Sequence, residues 1–200
     1  MSDILCVTNR NLCKSGFLAQ IEKIADAAPA GIILREKDLS EEDYKRLAVP
    51  VIKICKENGV RCILHSFVNT AIELHVKTIH LPLHILRALS EKEKAKFLTI
   101  GASCHSKEEA REAAALGCNY ITAGHIFTTE CKKGIPPRGL DFLHEICESV
   151  TIPVYAIGGI DSTNAESVRK AGASGFCIMS GLMRCSDPVQ YIDRFGRGGK

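Results

Sequence analysis

The sequence predicts an α/β chain that closes into a single (β/α)8 TIM barrel over residues 1–195. Three observations carry the prediction. Eight short apolar runs alternate with longer amphipathic ones, the signature of repeated βα units around a parallel sheet. The last two runs end in the glycine-bearing loops AIGGI (156–160) and MSGL (179–182). The 200 residues divide into about 25 per unit, near the lower size limit for such a barrel. A doubly wound open sheet is the runner-up. Only the tail 196–200, Gly-Arg-Gly-Gly-Lys, reads as flexible.

The units follow in order. Ile4–Thr8 is the first strand, and Gly16–Ala27 follows with Phe17, Ile21 and Ile24 at helical spacing. Gly31–Leu34 precedes Glu41–Asn58, whose apolar face is Tyr44, Leu47, Val51, Ile54 and Cys55, with a kink expected at Pro50. Cys62–His65 and Thr78–Leu81 are strands followed by short helical stretches at 68–75 and 83–90. Phe97–Gly101 leads into Lys107–Leu116, where Ser106 and Glu109 spell a capping box. Asn119–Ala123 leads, through a long loop, into Leu140–Ser149. Pro153–Ile157 leads into Asn164–Ala171, with Thr163 and Glu166 as a second capping box. Gly175–Met179 and Pro188–Phe195 close the chain.

Composition narrows the function classes. With 46% hydrophobic and 24% charged residues the chain is neither disordered, coiled-coil nor collagen-like. A net charge of +3 is too small to make nucleic acid the main partner. No apolar run approaches the roughly 18 residues that span a bilayer, so no membrane association is expected. The start MSDILCVTNRN lacks a basic n-region before a long apolar stretch, so no secretory signal is expected and the cytoplasm is the expected compartment. Ten cysteines (6, 13, 55, 62, 104, 118, 131, 147, 177 and 185) include no CxxC pair, and most read as small buried hydrophobes in a reducing cell.

A barrel of this kind carries its site where the strands end, which turns the strand ends into a search list. The loops after the last two strands offer Gly158, Gly159, Ser180 and Gly181, whose backbone N–H groups and hydroxyl suit a phosphate. No GxGxxG is present, so a dinucleotide is not suggested. Residues 124–139, GHIFTTECKKGIPPRG, form a long basic loop with the character of a lid over an anionic ligand, and Lys132 and Lys133 lie in it. His125 opens that loop and can accept and donate a proton near neutrality. Arg35 and Lys37 in LREKD are candidates for an anion, unless they pair with Glu36 and Asp38. Ser103 ends the fifth unit, and Asn69 either binds a ligand or caps a helix. His65, His80 and His105 lie at or beyond strand ends, but no Asp or Glu joins them there and no i, i+4 His pair exists, so no metal site is expected. His75, His84 and His144 read as surface residues.

LREKD, IGASCHS, GHIFTTECKKG, IPVYAIGGI and AGASGFCIMSGL, in that order over residues 4–195, resemble the thiamine phosphate synthase/TenI superfamily. GHIF-x-T-x-CKKG is the most specific piece and is similar to the thiazole tautomerases of the TenI type. The resemblance implies a (β/α)8 barrel and one of three activities. A tautomerase aromatises a phosphorylated dihydrothiazole carboxylate with no cofactor. His125 would then be its acid/base, Gly158, Gly159, Ser180 and Gly181 its phosphate site, and Arg35, Lys37, Ser103, Lys132 and Lys133 further substrate contacts. A thiamine phosphate synthase couples a pyrimidine diphosphate to a thiazole phosphate and needs Mg2+ on acids after strands three and four. Those segments read HSFVN (65–69) and IHLPLHIL (79–86), without Asp or Glu. The third reading is a non-catalytic regulator that binds a thiazole or thiamine phosphate. A small phosphorylated thiazole is the expected ligand in each case, and self-association stays open.

Overall fold

The protein, described by a computed structural model over residues 2–14 and 16–196, is a closed barrel of eight parallel strands in sequential order, β1-β2-β3-β4-β5-β6-β7-β8, with β1 pairing both β2 and β8. Of the tail expected to be flexible, 197–200 lie outside the described residues. The strands are β1 (Ile4–Val7), β2 (Gly31–Leu34), β3 (Cys62–His65), β4 (Thr78–Pro82), β5 (Thr99–Cys104), β6 (Tyr120–Gly124), β7 (Val154–Ile157) and β8 (Gly175–Ile178). The helices are α1 (Phe17–Asp26), α2 (Glu41–Glu57), α3 (Val68–Glu73), α4 (Leu83–Ala88), α5 (Glu91–Lys94), α6 (Lys107–Ala115), α7 (Gly139–Ser149), α8 (Ala165–Lys170), α9 (Ser180–Arg184) and α10 (Pro188–Asp193). Among the described residues no helix is long and apolar enough to cross a membrane.

Alternation along each strand creates two cores. One set of side chains (Leu5, Val7, Ile33, Ile63, Tyr120 and Cys177) fills the barrel lumen. The other set, including Cys6, Leu34, Leu64, Leu81 and Ile121, meets Ile21, Ile24, Tyr44, Val51, Leu143 and Ile146 of the helices. β1, β2 and β8 are therefore apolar on both faces, which is why those runs read as continuous rather than alternating, while β4, β5 and β6 turn His80, Ser103 and Thr122 inward. The Tyr44 hydroxyl ties α2 to the sheet: it donates to the Leu34 carbonyl (2.6 Å) and accepts from the His65 amide (2.9 Å).

Several expectations are revised. Helix α2 runs on through Pro50, is capped by the Ser40 hydroxyl on the Asp43 amide (3.1 Å) and buries Tyr44, Ala48, Val51, Ile54 and Cys55; that packing outweighs one missing backbone bond. β5 begins two residues later than expected and runs on to Cys104, because the small residues Gly101 and Ser103 face the lumen opposite larger neighbours. At α6 only half of the capping box forms, since the Glu109 carboxylate takes the His105 amide (2.5 Å) rather than that of Ser106. The second box is absent: Asn164 precedes α8 and Thr163 bonds Asp161 instead. α5, α9 and the 3-10 turns Arg10–Leu12 and Glu130–Lys132 were not foreseen. They are one-turn elements, too short for a periodic pattern to register.

Candidate functional site

The C-terminal ends of the strands form a basic mouth. The Thr8 hydroxyl at the end of β1 donates to Glu36 Oε1 (2.7 Å), and the Arg10 amide donates to both Glu36 oxygens (3.0 and 3.1 Å). The Arg10 guanidinium adds a bond to Glu36 Oε2 (3.1 Å) and a two-pronged pair with Asp38 (2.7 and 2.6 Å). Arg10 thus takes both acids of LREKD, so Arg35 and Lys37 have no carboxylate partner among the described residues. Partial burial, with the charges of Arg35 and Lys132, pushes the Lys37 ammonium below its ordinary value. Three expected ligand contacts therefore share one electrostatic environment, while Lys133 lies exposed further along the same loop.

The phosphate candidates lie on the loops of adjacent strands, because β7 and β8 are paired neighbours, with Ile157 opposite Cys177. Gly158 and Gly159 take left-handed backbone (φ 100° and 66°), open only to glycine without strain. A side chain at Gly158 would strike His125 Cβ, and one at Gly159 the Phe127 Cβ (2.8 Å). The Gly158 carbonyl accepts from the Phe127 amide (3.0 Å), and the Gly159 carbonyl from Asn164 Nδ2 (2.9 Å). In planar trans peptides this turns the amides of Gly159 and Ile160 the opposite way. Those amides, with those of Ser180 and Gly181, donate to no acceptor among the described residues, so they are available to an anion.

His125 follows a cis Gly124–His125 peptide and is 8% exposed. Its Nε2 lies 3.2 Å from the Ile135 carbonyl of the long loop. A carbonyl only accepts, so Nε2 carries the proton and Nδ1 is the basic atom of the neutral ring. The loop is tied down at its far end, where the amides of Arg138 and Gly139 donate to the carbonyls of His125 and Ile126 (both 3.0 Å). The Arg184–Glu130 pair (3.3 Å) joins the loop to α9 beside Ser180.

Beneath the mouth lies a buried polar string that the sequence reading did not assemble. His80 bridges the Tyr120 hydroxyl (Nδ1, 3.0 Å) and the Ser103 hydroxyl (Nε2, 2.9 Å), and Thr122 lies 3.4 Å from Ser103. Burial, helped by the charges of Arg35 and Lys37, holds His80 down to about 3. Burial, then the neighbouring His80, Arg35 and Lys37, takes His65 to about 2, while the His65 Nδ1 bonds the Ser66 hydroxyl (2.7 Å). The signal for this string was period-two alternation in YITAG, which puts Tyr120 and Thr122 on one face of β6.

Other candidates separate from the mouth. Asn69 is exposed and inside α3, so it does not cap that helix. His75, His84 and His144 are exposed, as expected. His105 is exposed, with Nδ1 on the Gly124 carbonyl (3.1 Å).

The donor set does not suit Mg2+, which binds through free carboxylates. Beyond β3 and β4 stand Ser66, Phe67, Leu83 and His84. Glu36 is saturated by Thr8 and Arg10, and Glu73 pairs with Lys45 of α2. Among the described residues no three His, Cys, Asp or Glu side chains are grouped to hold a metal ion.

Comparison with known proteins agrees with this architecture. The family model described as thiamine monophosphate synthase matches residues 4–182. The thiamine-phosphate synthase of Syntrophomonas wolfei is 32% identical over 188 residues, covering 90% of this chain and 88% of its own. That of Fusobacterium nucleatum is 33% identical over 193 residues, covering 95% and 93%. Among solved structures, the thiamine phosphate pyrophosphorylase from Pyrococcus furiosus superposes with a TM-score of 0.81 at 25% identity, covering 96% of this chain and 93% of its own.

Proposed function

Since the chain belongs to the thiamine monophosphate synthase family, we propose that it works in thiamine biosynthesis, as a thiazole tautomerase of the TenI type. The substrate is a phosphorylated dihydrothiazole carboxylate. Its phosphate meets the amides of Gly159, Ile160, Ser180 and Gly181, and Arg35, Lys37 and Lys132 supply the positive field. His125 Nδ1 removes a proton from a ring carbon, and the resulting imidazolium returns one at the far end of the conjugated system. No atom is gained or lost and the ring becomes aromatic. A positioned acid/base of this kind contributes about 10²–10⁴-fold.

The observation that carries the reading is His125: a buried imidazole seated against Gly158, with Nε2 held by the Ile135 carbonyl and Nδ1 as its basic atom. Aromatisation also needs no metal, which suits a mouth whose acids are already engaged.

The names of the relatives favour a second reading, thiamine-phosphate synthase, for which the family resemblance implies coupling of a pyrimidine diphosphate to a thiazole phosphate with Mg2+. Two assays separate the readings. Incubation with the dihydrothiazole carboxylate phosphate should produce the aromatic chromophore at a rate indifferent to EDTA and lowered about 10²–10⁴-fold in His125→Gln. Coupling of the two phosphorylated precursors under excess Mg2+, without aromatase turnover, would establish the synthase instead. Tight thiazole phosphate binding with neither turnover would make the protein a regulator.

A further inference from the structure

We propose that Tyr120 and His80 form a proton-orienting relay that makes Ser103 an obligate hydrogen-bond donor at the barrel mouth, and that this subsite takes an oxyanion of the ligand, the carboxylate rather than the phosphate. The identification of that oxyanion rests on the tautomerase reading; the relay itself does not.

The argument is a count of protons. Tyr120 is 5% exposed and packs among Leu5, Val7, Ile33, Ile63 and Cys177. Its hydroxyl has one hydrogen-bond partner among the described residues, His80 Nδ1. If Nδ1 carried the proton, the phenolic hydrogen would be buried without an acceptor, the arrangement proteins avoid. Tyr120 therefore donates and Nδ1 accepts. His80 is neutral, so its single proton sits on Nε2 and points at Ser103 Oγ. Thr122 is 4% exposed and also has one side-chain partner, Ser103, so the same reasoning makes Thr122 the donor. Ser103 Oγ then accepts two hydrogen bonds, which fills its lone pairs, and its own proton must point elsewhere. Ser103 is half-buried at the end of β5, and the direction left open is the mouth.

Two consequences follow. The Ser103–His80 pair looks like a nucleophile and its base, but the nitrogen facing Ser103 is already protonated, so it cannot remove the hydroxyl proton. And the mouth holds separate places for two anions: amides on the β7 and β8 loops, and a hydroxyl on β5 near the charges of Arg35 and Lys37 that also act on His80. A substrate with a phosphate at one end and a carboxylate on its ring matches both.

The polarity is read in the ligand-free protein by nitrogen NMR on 15N-histidine-labelled chain. His80 should show a protonated Nε2 and a bare Nδ1; a protonated Nδ1 overturns the relay. The subsite is read by titrating thiazole phosphate with and without its carboxylate. Ser103→Ala should weaken the carboxylate ligand by roughly 10- to 100-fold, as expected for a bond to a charged group, and the other by less than about threefold. His80→Leu should shrink the same difference between the ligands, whereas a structural role for His80 would weaken both alike. Equal losses in both variants overturn the subsite. If the tautomer and the selectivity hold while the wild type fails to aromatise its substrate, the tautomerase reading falls and the relay stands.

Discussion

Gly101 is the position where one added carbon should do the most damage. It sits between His80 of β4 and Tyr120 of β6 in the strand register, and its missing side chain lets the tyrosine reach across β5 to the imidazole. Its backbone is not left-handed, so alanine would carry no conformational penalty there, but the new methyl would overlap Cζ, Cε1 and the hydroxyl of Tyr120. The ring cannot retreat freely, because Tyr155 lies 5.6 Å and His80 5.5 Å from its centroid. Overpacking of this sort costs about 1–3 kcal/mol, and separating two buried hydrogen-bonding partners about 1–3 kcal/mol more. Gly101→Ala should therefore lose about 2–6 kcal/mol, or roughly 5–20 °C in Tm for a chain of this size. Denaturant and thermal unfolding measure the loss, and a double-mutant cycle assigns it: in a Tyr120→Ala background the same methyl should cost less than about 0.5 kcal/mol. Equal costs in both backgrounds, or a Gly101→Ala protein as stable as wild type, would refute the steric account.

His125→Gln should lower kcat by about 10²–10⁴-fold with KM little changed, and nitrogen NMR of the wild type should find the His125 proton on Nε2; a variant retaining full turnover removes His125 from the chemistry. Arg10→Met should cost about 1–3 kcal/mol, less than the usual loss on breaking a buried pair because the Arg10 side chain is 28% exposed. It should also weaken inorganic phosphate binding severalfold as Glu36 turns toward Arg35 and Lys37; an unchanged Tm together with unchanged phosphate affinity contradicts the clamp. His65 and His80 are held down to about 2 and about 3 in the folded protein, so unfolding takes up protons on both between those values and the ordinary 6.5. Stability should thus fall as pH drops below about 6.5, by up to about 1.4 kcal/mol per pH unit for each histidine, and His65→Gln/His80→Gln should flatten the curve; a wild-type slope unaffected by that double substitution tells against buried neutral imidazoles.

Much of the barrel could be read in advance because its strands are short apolar runs, several of them apolar on both faces, bounded by glycine, proline or polar residues. The bounds of β5 were harder to read. TIGASC holds the small residues a crowded lumen demands, and small residues carry little strand signal. The adjacency of the two glycine-bearing loops was readable because the order of the chain makes β7 and β8 neighbours once the barrel closes. Arg10 was not, since its tie to Glu36 and Asp38 crosses from the β1 loop to the β2 loop and leaves no trace in local spacing. The Thr163–Glu166 pattern misled for a similar reason. Asn164 is drawn to the Gly159 carbonyl, so the helix start is arranged around the loop before it rather than around its own cap.

The cysteines give the long loop a practical property. Among the described residues Cys131 alone is exposed, while the other nine are buried or half-buried, and burial raises the thiols of Cys6, Cys104, Cys118 and Cys177 well above their ordinary range. Thiolate supply and access both govern alkylation, so a maleimide dye added briefly at neutral pH should label one position. That position lies next to Lys132, in the segment whose Ile135 carbonyl holds His125. The unmodified chain thus provides its own attachment point for a fluorophore that tests whether an anion enters the mouth.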